Sequence, residues 1–424
     1  MKSTKRQFLK NTMGLGLGVI ISRLAKGMPF KTLPFNTELN MLDEEAYWNE
    51  IRKDYLLNPD YINLENGYYC MQPQPVLEDF IKKIREVNYQ AAYYMRNKEA
   101  KDRIFIRQRL AELLGCKENE LGLTRNTTES YDIIINGLDW KAGDEVIYAE
   151  PDYGSMISML KQQARRFGIV TKAVSIPLHP QSDEEIVGLY EAQITPKTKL
   201  ISLSHIINIS GQILPVKKIV DLAHSKNIEV IVDGAHSFAQ LDFKIADLGC
   251  DYYACSLHKW LSVPLGEGLL YIHESKIPKI WPNFAPFEYT ANDIRSINHI
   301  GTHAVHSDLA ILTAIDYYLK IGPQRKENRL RFLQQYWTNQ VRQVKNISVN
   351  TPIESARACG IANVGINNLK PKDLAQILFE KYKVYTVAID SFNVHGVRVT
   401  PQVYTTLKEL DIFVSALKDL AANI

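Results

Sequence analysis

Residues 229–272, written EVIVDGAHSFAQLDFKIADLGCDYYACSLHKWLSVPLGEGLLYI, decide the fold of this chain. The apolar, β-branched run over residues 230–232 predicts a buried strand, and Asp233 stands at its end. Gly234 and Ala235 then turn the chain, which leaves the Asp233 carboxylate at the carboxyl end of that strand. Open α/β sheets bind their ligands at this edge.

A second short strand is predicted over residues 252–255, and a third ends the stretch. The second strand delivers Ser256, His258 and Lys259 to the edge of the sheet. The pattern therefore predicts that one amine lies beside one acid, Asp233, at neighbouring strand ends.

The middle of the chain alternates between strand and helix patterns, which independently favours a doubly wound α/β sheet. The predicted strands cover residues 145–149, 169–176 and 199–204, and the predicted helices cover residues 153–167, 183–194 and 216–226. Two amphipathic helices are predicted earlier in the chain, over residues 76–94 and 98–114.

An amine beside a carboxylate suits the chemistry of pyridoxal 5'-phosphate (PLP). An uncharged lysine can form a Schiff base with the aldehyde of PLP, and a carboxylate can keep the pyridine nitrogen protonated so that the ring withdraws electrons. Taken singly, a strand-ending aspartate is most often structural and a lysine is most often a solvated charge. Together, Lys259 and Asp233 become the candidate catalytic residues.

The motifs DGAH (residues 233–236) and SLHKW (residues 256–260) resemble the class V aminotransferase family of fold type I PLP enzymes. This family includes aminotransferases, isopenicillin N epimerase-like enzymes, cysteine desulfurases and C–S lyases. The resemblance implies that PLP is bound through Lys259 and Asp233, with Ser256 and His258 beside it. It also implies a large domain with a mostly parallel, doubly wound sheet and a smaller α+β C-terminal domain.

A phosphate site is indicated where the sequence runs from a strand pattern into a helix pattern over residues 121–130. Thr127 and Thr128 stand at the start of this helix, where free N–H groups and the helix dipole favour a phosphate. An ordinary helix cap is the alternative interpretation. In the family, the corresponding loop holds the PLP phosphate, and the resemblance carries that role to both threonines.

Three residues match positions that contact the PLP ring in the family. Tyr153 follows the strand predicted over residues 145–149, where family members carry an aromatic residue or a histidine that stacks on the ring. The segment over residues 204–215 resembles one whose asparagine reaches the phenolic oxygen of the cofactor, which implies this role for Asn208. His236 is expected near the same oxygen or near the substrate.

Substrate recognition is indicated near both ends of the chain. Residues 394–406 resemble the family segment that carries the substrate-binding arginine. A guanidinium can hold a carboxylate through two parallel hydrogen bonds, so Arg398 is expected to bind the α-carboxylate of an amino acid. A turn resembling one at the substrate entrance suggests Asn66 and Tyr68, with an ordinary turn as the equal alternative.

After residue 272 the regular pattern breaks, and Gly301 and Thr302 follow. In the family, a Gly-Thr pair at this place reaches across a subunit interface to the phosphate bound by the other subunit. The resemblance therefore implies a homodimer in which Thr302 acts in trans.

Class V reactions share removal of the Cα proton of an amino acid, and Lys259 is the expected base. Cysteine desulfurases also need a nucleophilic cysteine ahead of the arginine, and residues 385–395 contain none, which disfavours that activity. Transamination is the favoured prediction, with epimerisation or racemisation and C–S elimination left open. The DGAH and Arg-Asn-Thr-Thr-Glu motifs are nearest the isopenicillin N epimerase-like branch.

The composition is that of an ordinary globular protein. The 424 residues are 46% hydrophobic and 23% charged, with a net charge of +3. The sequence has no basic run with interleaved aromatic residues, so nucleic-acid binding is not expected. It has no uninterrupted run of about 18 apolar residues, so stable membrane insertion is not expected. The five cysteines lack CxxC spacing, which disfavours a disulfide framework and a metal site.

The first 28 residues have the pattern of an export signal. Basic residues at positions 2, 5, 6 and 10 precede an uncharged, glycine-rich apolar run. Residues 3–10 resemble a twin-arginine signal in which lysine replaces the first arginine, so export to the periplasm is favoured over a cytoplasmic location. The predicted division is a signal over 1–28, a segment packing on the small domain over 29–60, a PLP-binding domain over 61–305 and a small domain over 306–424.

Overall fold

The computed structural model describes residues 39–423, and side chains from residue 44 onward. The predicted export signal lies outside the described residues and remains a prediction. The first described elements are α1 (Leu39–Arg52), β1 (Ile62–Asn63), α2 (Gln74–Gln90), α3 (Ala92–Asn97), α4 (Glu99–Leu114), β2 (Leu121–Thr124), α5 (Thr127–Gly137), β3 (Glu145–Ala149), α6 (Gly154–Phe167), β4 (Val170–Val174), α7 (Asp183–Glu191), β5 (Thr198–Ser204), α8 (Val216–Ser225), β6 (Glu229–Asp233), α9 (Ile245–Leu248), β7 (Tyr252–Ser256) and β8 (Gly268–Ile272).

The remaining elements are α10 (Ile294–Ile297), α11 (Val305–Ile321), α12 (Pro323–Val341), β9 (Ile347–Val349), β10 (Ala362–Ile366), α13 (Pro371–Tyr382), β11 (Val384–Tyr385), β12 (Val387–Ser391), β13 (Val394–Val399) and α14 (Leu407–Ala422). Residues from Trp48 onward form one compact unit. Whether this unit divides into domains at the predicted residues, 60/61 and 305/306, stays a prediction.

The larger sheet has seven strands in the order β2-β8-β7-β6-β5-β3-β4. Strands β7, β6, β5, β3 and β4 run parallel, whereas β8 runs antiparallel to β7 and to β2. Six of the seven strands therefore point the same way, which confirms the predicted mostly parallel α/β sheet. Their carboxyl ends meet at one edge, so Asp233 at the end of β6 lies near Ser256 at the end of β7.

The apolar sequence of β6 is explained by what covers the sheet. Val230, Ile231 and Val232 are fully buried. Helix α8 packs on β6, and α5 packs on β7 and β8. Parallel strands covered by helices need continuous apolar runs of this kind, which is why the run predicts the strand correctly.

Several helix ends follow local capping chemistry. Helix α5 begins after Asn126, whose side-chain oxygen accepts a hydrogen bond from the N–H of Glu129 at 2.9 Å. Helices α4 and α6 end at Gly115 and Gly168, which have φ of 67° and 71° and so adopt the left-handed conformation that glycine tolerates.

The single helix predicted over residues 76–94 is wrong. Helix α2 ends at Gln90 and α3 begins at Ala92, because Ala91 between them has a φ of 47°. A positive φ at a residue with a Cβ atom interrupts the helical path. No glycine or proline stands at this place, so the sequence carries no local signal for the break.

The smaller sheet is antiparallel and has the order β12-β13-β10-β9. Helices α12, α13 and α14 pack on it. Trp337 and Phe413 lie fully buried in its core, with ring centroids 5.2 Å apart at 71°. Edge-to-face packing of this kind suits the charge distribution of aromatic rings.

The chain segment after α1 returns to the C-terminal sheet region. Strand β1 pairs in parallel with β11, and Glu65 forms an isolated bridge with Thr400. This pairing places residues 62–68 beside the end of β13, which carries Arg398. The segments around Glu65 and Arg398, which are far apart in the sequence, thus come together near the edge of the large sheet.

Within residues 39–423, no helix combines the length and the apolar character needed to cross a membrane. The same described residues contain no group of three or more His, Cys, Asp or Glu side chains arranged to hold a metal ion.

Candidate active site

A cavity of about 300 Å³ opens where the carboxyl ends of the large sheet meet residues from both ends of the chain. Nearly all of the sequence-predicted site residues line it; the exceptions are Asn66 and Thr302. The predicted residues in the lining are Tyr68, Thr127, Thr128, Tyr153, Asn208, Asp233, His236, Ser256, His258, Lys259 and Arg398.

Asp233 presents its carboxylate at the end of β6, where it is 7% exposed. Its Oδ1 accepts a hydrogen bond from the N–H of Ala235 at 2.9 Å. Burial raises the pKa of Asp233, against the opposing effects of the Ala235 N–H and the Lys259 ammonium. The turn needs glycine at position 234, because a Cβ there would lie 1.9 Å from the ring of Tyr253.

Lys259 follows β7 and reaches the cavity from a buried position. Its Nζ lies 3.3 Å from Nε2 of His236. Burial lowers the pKa of Lys259 to about 8, and Arg398 acts in the same direction while Asp233 opposes it. A lysine with this pKa holds about a tenth of its amine uncharged at neutral pH, far more than a solvated lysine does.

His258 stands beside the lysine and is neutral. Its Nδ1 lies 3.2 Å from the carbonyl oxygen of Glu267, to which it donates. Burial, aided by the neighbouring Lys259, lowers the pKa of His258 to about 4. His258 therefore adds no positive charge to the cavity at neutral pH.

The start of α5 forms a cluster of donors at one end of the cavity. Thr127 uses its N–H and its hydroxyl to contact Oγ of Ser256, at 3.0 and 2.8 Å. Among the described residues, the backbone N–H and hydroxyl of Thr128 have no hydrogen-bond partner. A helix N-terminus with unsatisfied donors is a favourable place for a phosphate.

Tyr153 and Asn208 also line the cavity. Tyr153 precedes the first residue of α6 and is 45% exposed, so its ring is available to a ligand. Ser204, at the end of β5, also lines the cavity, and its hydroxyl donates to Oδ1 of Asp152 at 2.6 Å. Burial raises the pKa of Asp152 to about 7.

Arg398 lies in the cavity wall, paired with Glu65. The guanidinium donates to Glu65 through Nε at 3.2 Å and Nη2 at 2.5 Å, and through Nη1 to the carbonyl oxygen of Asn208 at 3.2 Å. Both side chains of the ion pair are less than a tenth exposed. Three of the five N–H groups are thus used, which leaves one on Nη1 and one on Nη2 for a substrate carboxylate.

Asn66 is fully buried, and the structure does not bring it to the cavity. Its amide donates to the carbonyl oxygen of Thr400 at 2.8 Å and accepts from the hydroxyl of Tyr404 at 2.7 Å. It holds the turn after β1. Tyr68, from the same turn, is exposed and does line the cavity.

Thr302 lies in an exposed loop and lines a second cavity, of about 350 Å³, instead of the first. Leu265 and Gly266 line both cavities and separate them. The described chain therefore does not place Thr302 at its own candidate phosphate site.

Sequence reasoning missed the contacts that Glu65 and Trp260 make with the predicted site residues. Glu65 stands next to the predicted Asn66, but nothing in its neighbourhood indicates a partner 333 residues away. Trp260 follows Lys259, and its indole Nε1 donates to Nδ1 of His236 at 3.3 Å. A tryptophan directly after the lysine of SLHKW is the one sequence signal that could have indicated this contact.

The residues present fit PLP in three places. Lys259 supplies the amine. Asp233 supplies a buried carboxylate whose Oδ2 accepts no hydrogen bond from the described residues, which suits a protonated ring nitrogen. Thr128, with its unsatisfied donors at the start of α5, suits the phosphate. These three groups match the three polar parts of the cofactor.

The fold and this set of donors define a PLP enzyme of fold type I. The family profile described as "Aminotransferase class-V" matches residues 68–411, and the chain belongs to this family. PLP is its cofactor. The family predicted from the DGAH and SLHKW motifs is therefore confirmed.

Known relatives match nearly the whole chain. The isopenicillin N epimerase of Streptomyces clavuligerus is 25% identical, covering 89% of this chain and 99% of that protein. A probable cysteine desulfurase of Pyrococcus abyssi is 22% identical, and the match covers 88% of this chain and 98% of that protein. The structure of the cystine C–S lyase C-DES with its product cysteine persulfide has a TM-score of 0.78 and 23% identity, covering 86% and 98%. The predicted branch and fold are confirmed.

Proposed function

We propose that the chain is an aminotransferase that acts at Cα of an α-amino acid. The observation that carries the proposal is that Lys259 is the one lysine among the described residues that line the cavity, with its Nζ 3.3 Å from Nε2 of His236. Transamination moves a proton from Cα to the adjoining cofactor carbon, which one base can do from one side.

The side chains divide the work as follows. PLP, when bound, supplies an electron sink that stabilises negative charge at Cα. Arg398 holds the α-carboxylate through its free Nη1 and Nη2 edge. Lys259 would take the Cα proton at Nζ and hold it for return on the same side, and Asp233 would accept a hydrogen bond from the protonated ring nitrogen of PLP. Water supplies the carbonyl oxygen of the oxo acid that is released, and the amino group would be retained by PLP in its amine form.

Epimerisation is the second candidate. It needs a further acid that reprotonates Cα from the side opposite to the base. Tyr153 lines the same cavity with a half-exposed phenol and could supply that proton. The 25% identity with an isopenicillin N epimerase along nearly the whole chain also supports this candidate.

Desulfuration through a protein persulfide has little support, although relatives include probable cysteine desulfurases. No cysteine is among the described residues that line the cavity. Cys70 and Cys359 are buried, and burial raises the pKa of each thiol to about 12. A thiol in that state is a poor nucleophile. C–S elimination without a protein thiol remains a testable third reaction.

One experiment distinguishes the candidates. Purified holoenzyme is mixed with a panel of L- and D-amino acids in deuterated buffer without an oxo-acid acceptor, and the visible spectrum and the mass of the amino acid are followed. The expected result is conversion of the cofactor to its amine form, with one oxo acid released per active site.

Other results overturn the proposal. An unchanged visible spectrum, with deuterium entering Cα and the opposite enantiomer appearing, would identify an epimerase. Release of pyruvate from a sulfur-containing amino acid would identify a C–S lyase. An amino acid recovered without deuterium or conversion across the whole panel would show that the chain does not act at Cα of these substrates.

We also propose that the chain forms a homodimer in which Thr302 binds the phosphate of the neighbouring subunit. The support is an exposed apolar surface beside the start of α5. Phe284 and Ile300 line a further cavity together with Thr128, and large exposed patches of this kind mark interaction sites. Exposed aromatic side chains of the same segment are Trp281, Phe284, Phe287 and Tyr289.

Mixed dimers test the role of Thr302. Thr302→Ala alone should weaken PLP binding about tenfold, by the loss of one hydrogen bond to a charged group. In a dimer of one Thr302→Ala chain and one Lys259→Ala chain, the intact Lys259 faces the intact Thr302 of its partner, so that site should bind PLP normally. Sedimentation as a monomer at micromolar concentration, or failure of the mixed dimer to recover affinity, would refute the proposal.

A further inference from the structure

We infer that Trp260 is a positioning residue for the reactive lysine: its indole N–H fixes the tautomer of His236, which then presents a hydrogen-bond donor to Lys259 and holds that amine uncharged. The inference rests on the proposed role of Lys259, and it holds for transamination and epimerisation alike.

The three side chains form a linear chain of contacts. The Trp260 Nε1 donates to Nδ1 of His236 at 3.3 Å. The Nε2 atom of the same imidazole lies 3.3 Å from Nζ of Lys259. Trp260 is fully buried and His236 is 4% exposed, so water does not compete for these contacts.

The chemistry of the indole decides which way the hydrogen bonds point. An indole N–H can only donate, so Nδ1 of His236 must carry a lone pair. Burial holds the pKa of His236 well below its ordinary value, and Lys259 and Arg398 add to this effect. The ring is therefore neutral, and its one proton lies on Nε2.

A proton on Nε2 constrains the lysine. The Nε2–H group needs an acceptor. A charged ammonium has no lone pair and cannot accept, whereas an uncharged amine has one and can. The contact at 3.3 Å is therefore a hydrogen bond only when Lys259 is uncharged. The opposite tautomer, with a lone pair on Nε2, would instead favour the charged ammonium.

This contact adds to a balance of other charges around Lys259. Asp233 and Glu65 favour the charged ammonium, as does Cys70 when ionised. Burial and Arg398 favour the uncharged amine, and His258 on the same loop is neutral. Since Asp233 exerts the strongest of these pulls toward the charged state, a donor on His236 opposes it.

The position of Trp260 is itself fixed from two sides. Its carbonyl oxygen accepts a hydrogen bond from Nζ of Lys326, a buried lysine of α12. Gly360 packs against the far edge of the ring, where a Cβ atom would lie 3.0 Å from Cη2. The indole therefore has little freedom to turn its N–H away from His236.

The test compares Trp260→Phe with a matched control, Trp337→Phe. Trp337 is also fully buried, and its indole N–H has no hydrogen-bond partner among the described residues. Both changes remove the same volume from a core, but only the first removes a donor to His236. Thermal unfolding of both variants checks that each is folded.

The first readout is the tautomer. The full-length chain, freed of cofactor, is labelled with ¹⁵N in its histidine rings, and His236→Gln assigns the signal of His236. Wild type and Trp337→Phe should show the Nε2–H tautomer, and Trp260→Phe should show a mixture. An Nδ1–H tautomer of His236 in the wild type would by itself overturn the inference.

The second readout is the pH dependence of PLP uptake by the cofactor-free chain, because uptake requires the uncharged amine. The midpoint should rise by about one pH unit in Trp260→Phe, which slows uptake at neutral pH about tenfold, and it should not move in Trp337→Phe. Equal midpoints in all three chains would overturn the inference.

Two safeguards keep the outcome decisive. If Trp260→Phe does not fold, His236→Leu removes the donor altogether and should raise the same midpoint. Failure of the wild-type chain to take up PLP at any pH would instead contradict the role of Lys259, so the two failures are distinguishable.

Discussion

Lys259→Ala is expected to abolish covalent attachment of PLP and to lower turnover by about 10³-fold or more, since both the attachment point and the general base are lost. Lys259 is the lysine of the cavity lining, and its lowered pKa makes the uncharged amine available. The measurement is reduction of the holoenzyme with borohydride, followed by mass spectrometry of the labelled peptide.

Lys326→Met is the matched control. Lys326 is another buried lysine, and burial lowers its pKa to about 8 as well. Its Nζ contacts the carbonyl oxygen of Trp260, however, and it does not line the cavity. The Lys326→Met chain should still carry reduced PLP on Lys259, whereas a reducible adduct that persists in Lys259→Ala would contradict the assignment.

The meeting of Lys259 and Asp233 in one cavity was predictable because its signals are local. A run of buried β-branched residues ends at Asp233, and the strand before Lys259 lies next to it in a parallel sheet. Parallel strands must bring their carboxyl ends to one edge. A strand pattern that runs into a helix pattern over residues 121–130 predicts Thr127 and Thr128 at the start of a helix, and the structure brings all four residues to one cavity.

The partners of these residues were not predictable, because they depend on tertiary pairing. Glu65 meets Arg398 only because β1 pairs with β11, which brings two ends of the chain together. The indole of Trp260 reaches His236 because the turns after β6 and β7 lie side by side. The break at Ala91 likewise has no local signal in the residues around it, and the proposed role of Thr302 requires a second chain.

Arg398→Ala is expected to lower kcat/KM for amino acids by a factor that corresponds to about 2–5 kcal/mol, mainly through KM, if the substrate carboxylate pairs with a guanidinium shielded from water. The free Nη1 and Nη2 groups are the only part of Arg398 that Glu65 and Asn208 leave for a ligand. Steady-state kinetics is measured with an amino acid and with the corresponding amine, which lacks the carboxylate. The comparison separates the loss of carboxylate binding from any general damage to the site. The amine should react equally well with the wild-type enzyme and with Arg398→Ala.

Loss of Arg398 also leaves Glu65 buried without its partner, which can cost about 3–5 kcal/mol of folding free energy. The double variant Glu65→Gln/Arg398→Ala removes this charge and should recover most of the thermal stability while KM for amino acids stays high. Recovery of both stability and KM would show that Arg398 supports the fold and does not bind substrate.

Glu65→Gln alone tests whether the ion pair orients the guanidinium. The amide oxygen of the substituted side chain can accept one hydrogen bond from Nε or Nη2 of Arg398. The two parallel hydrogen bonds between carboxylate and guanidinium, which fix the plane of the guanidinium, are lost. The free edge should then be less well directed at the cavity, and kcat/KM for amino acids should fall about tenfold, without a change for the amine. A gain in amino-acid affinity would instead mean that Glu65 competes with the substrate carboxylate for Arg398, and that binding must displace it.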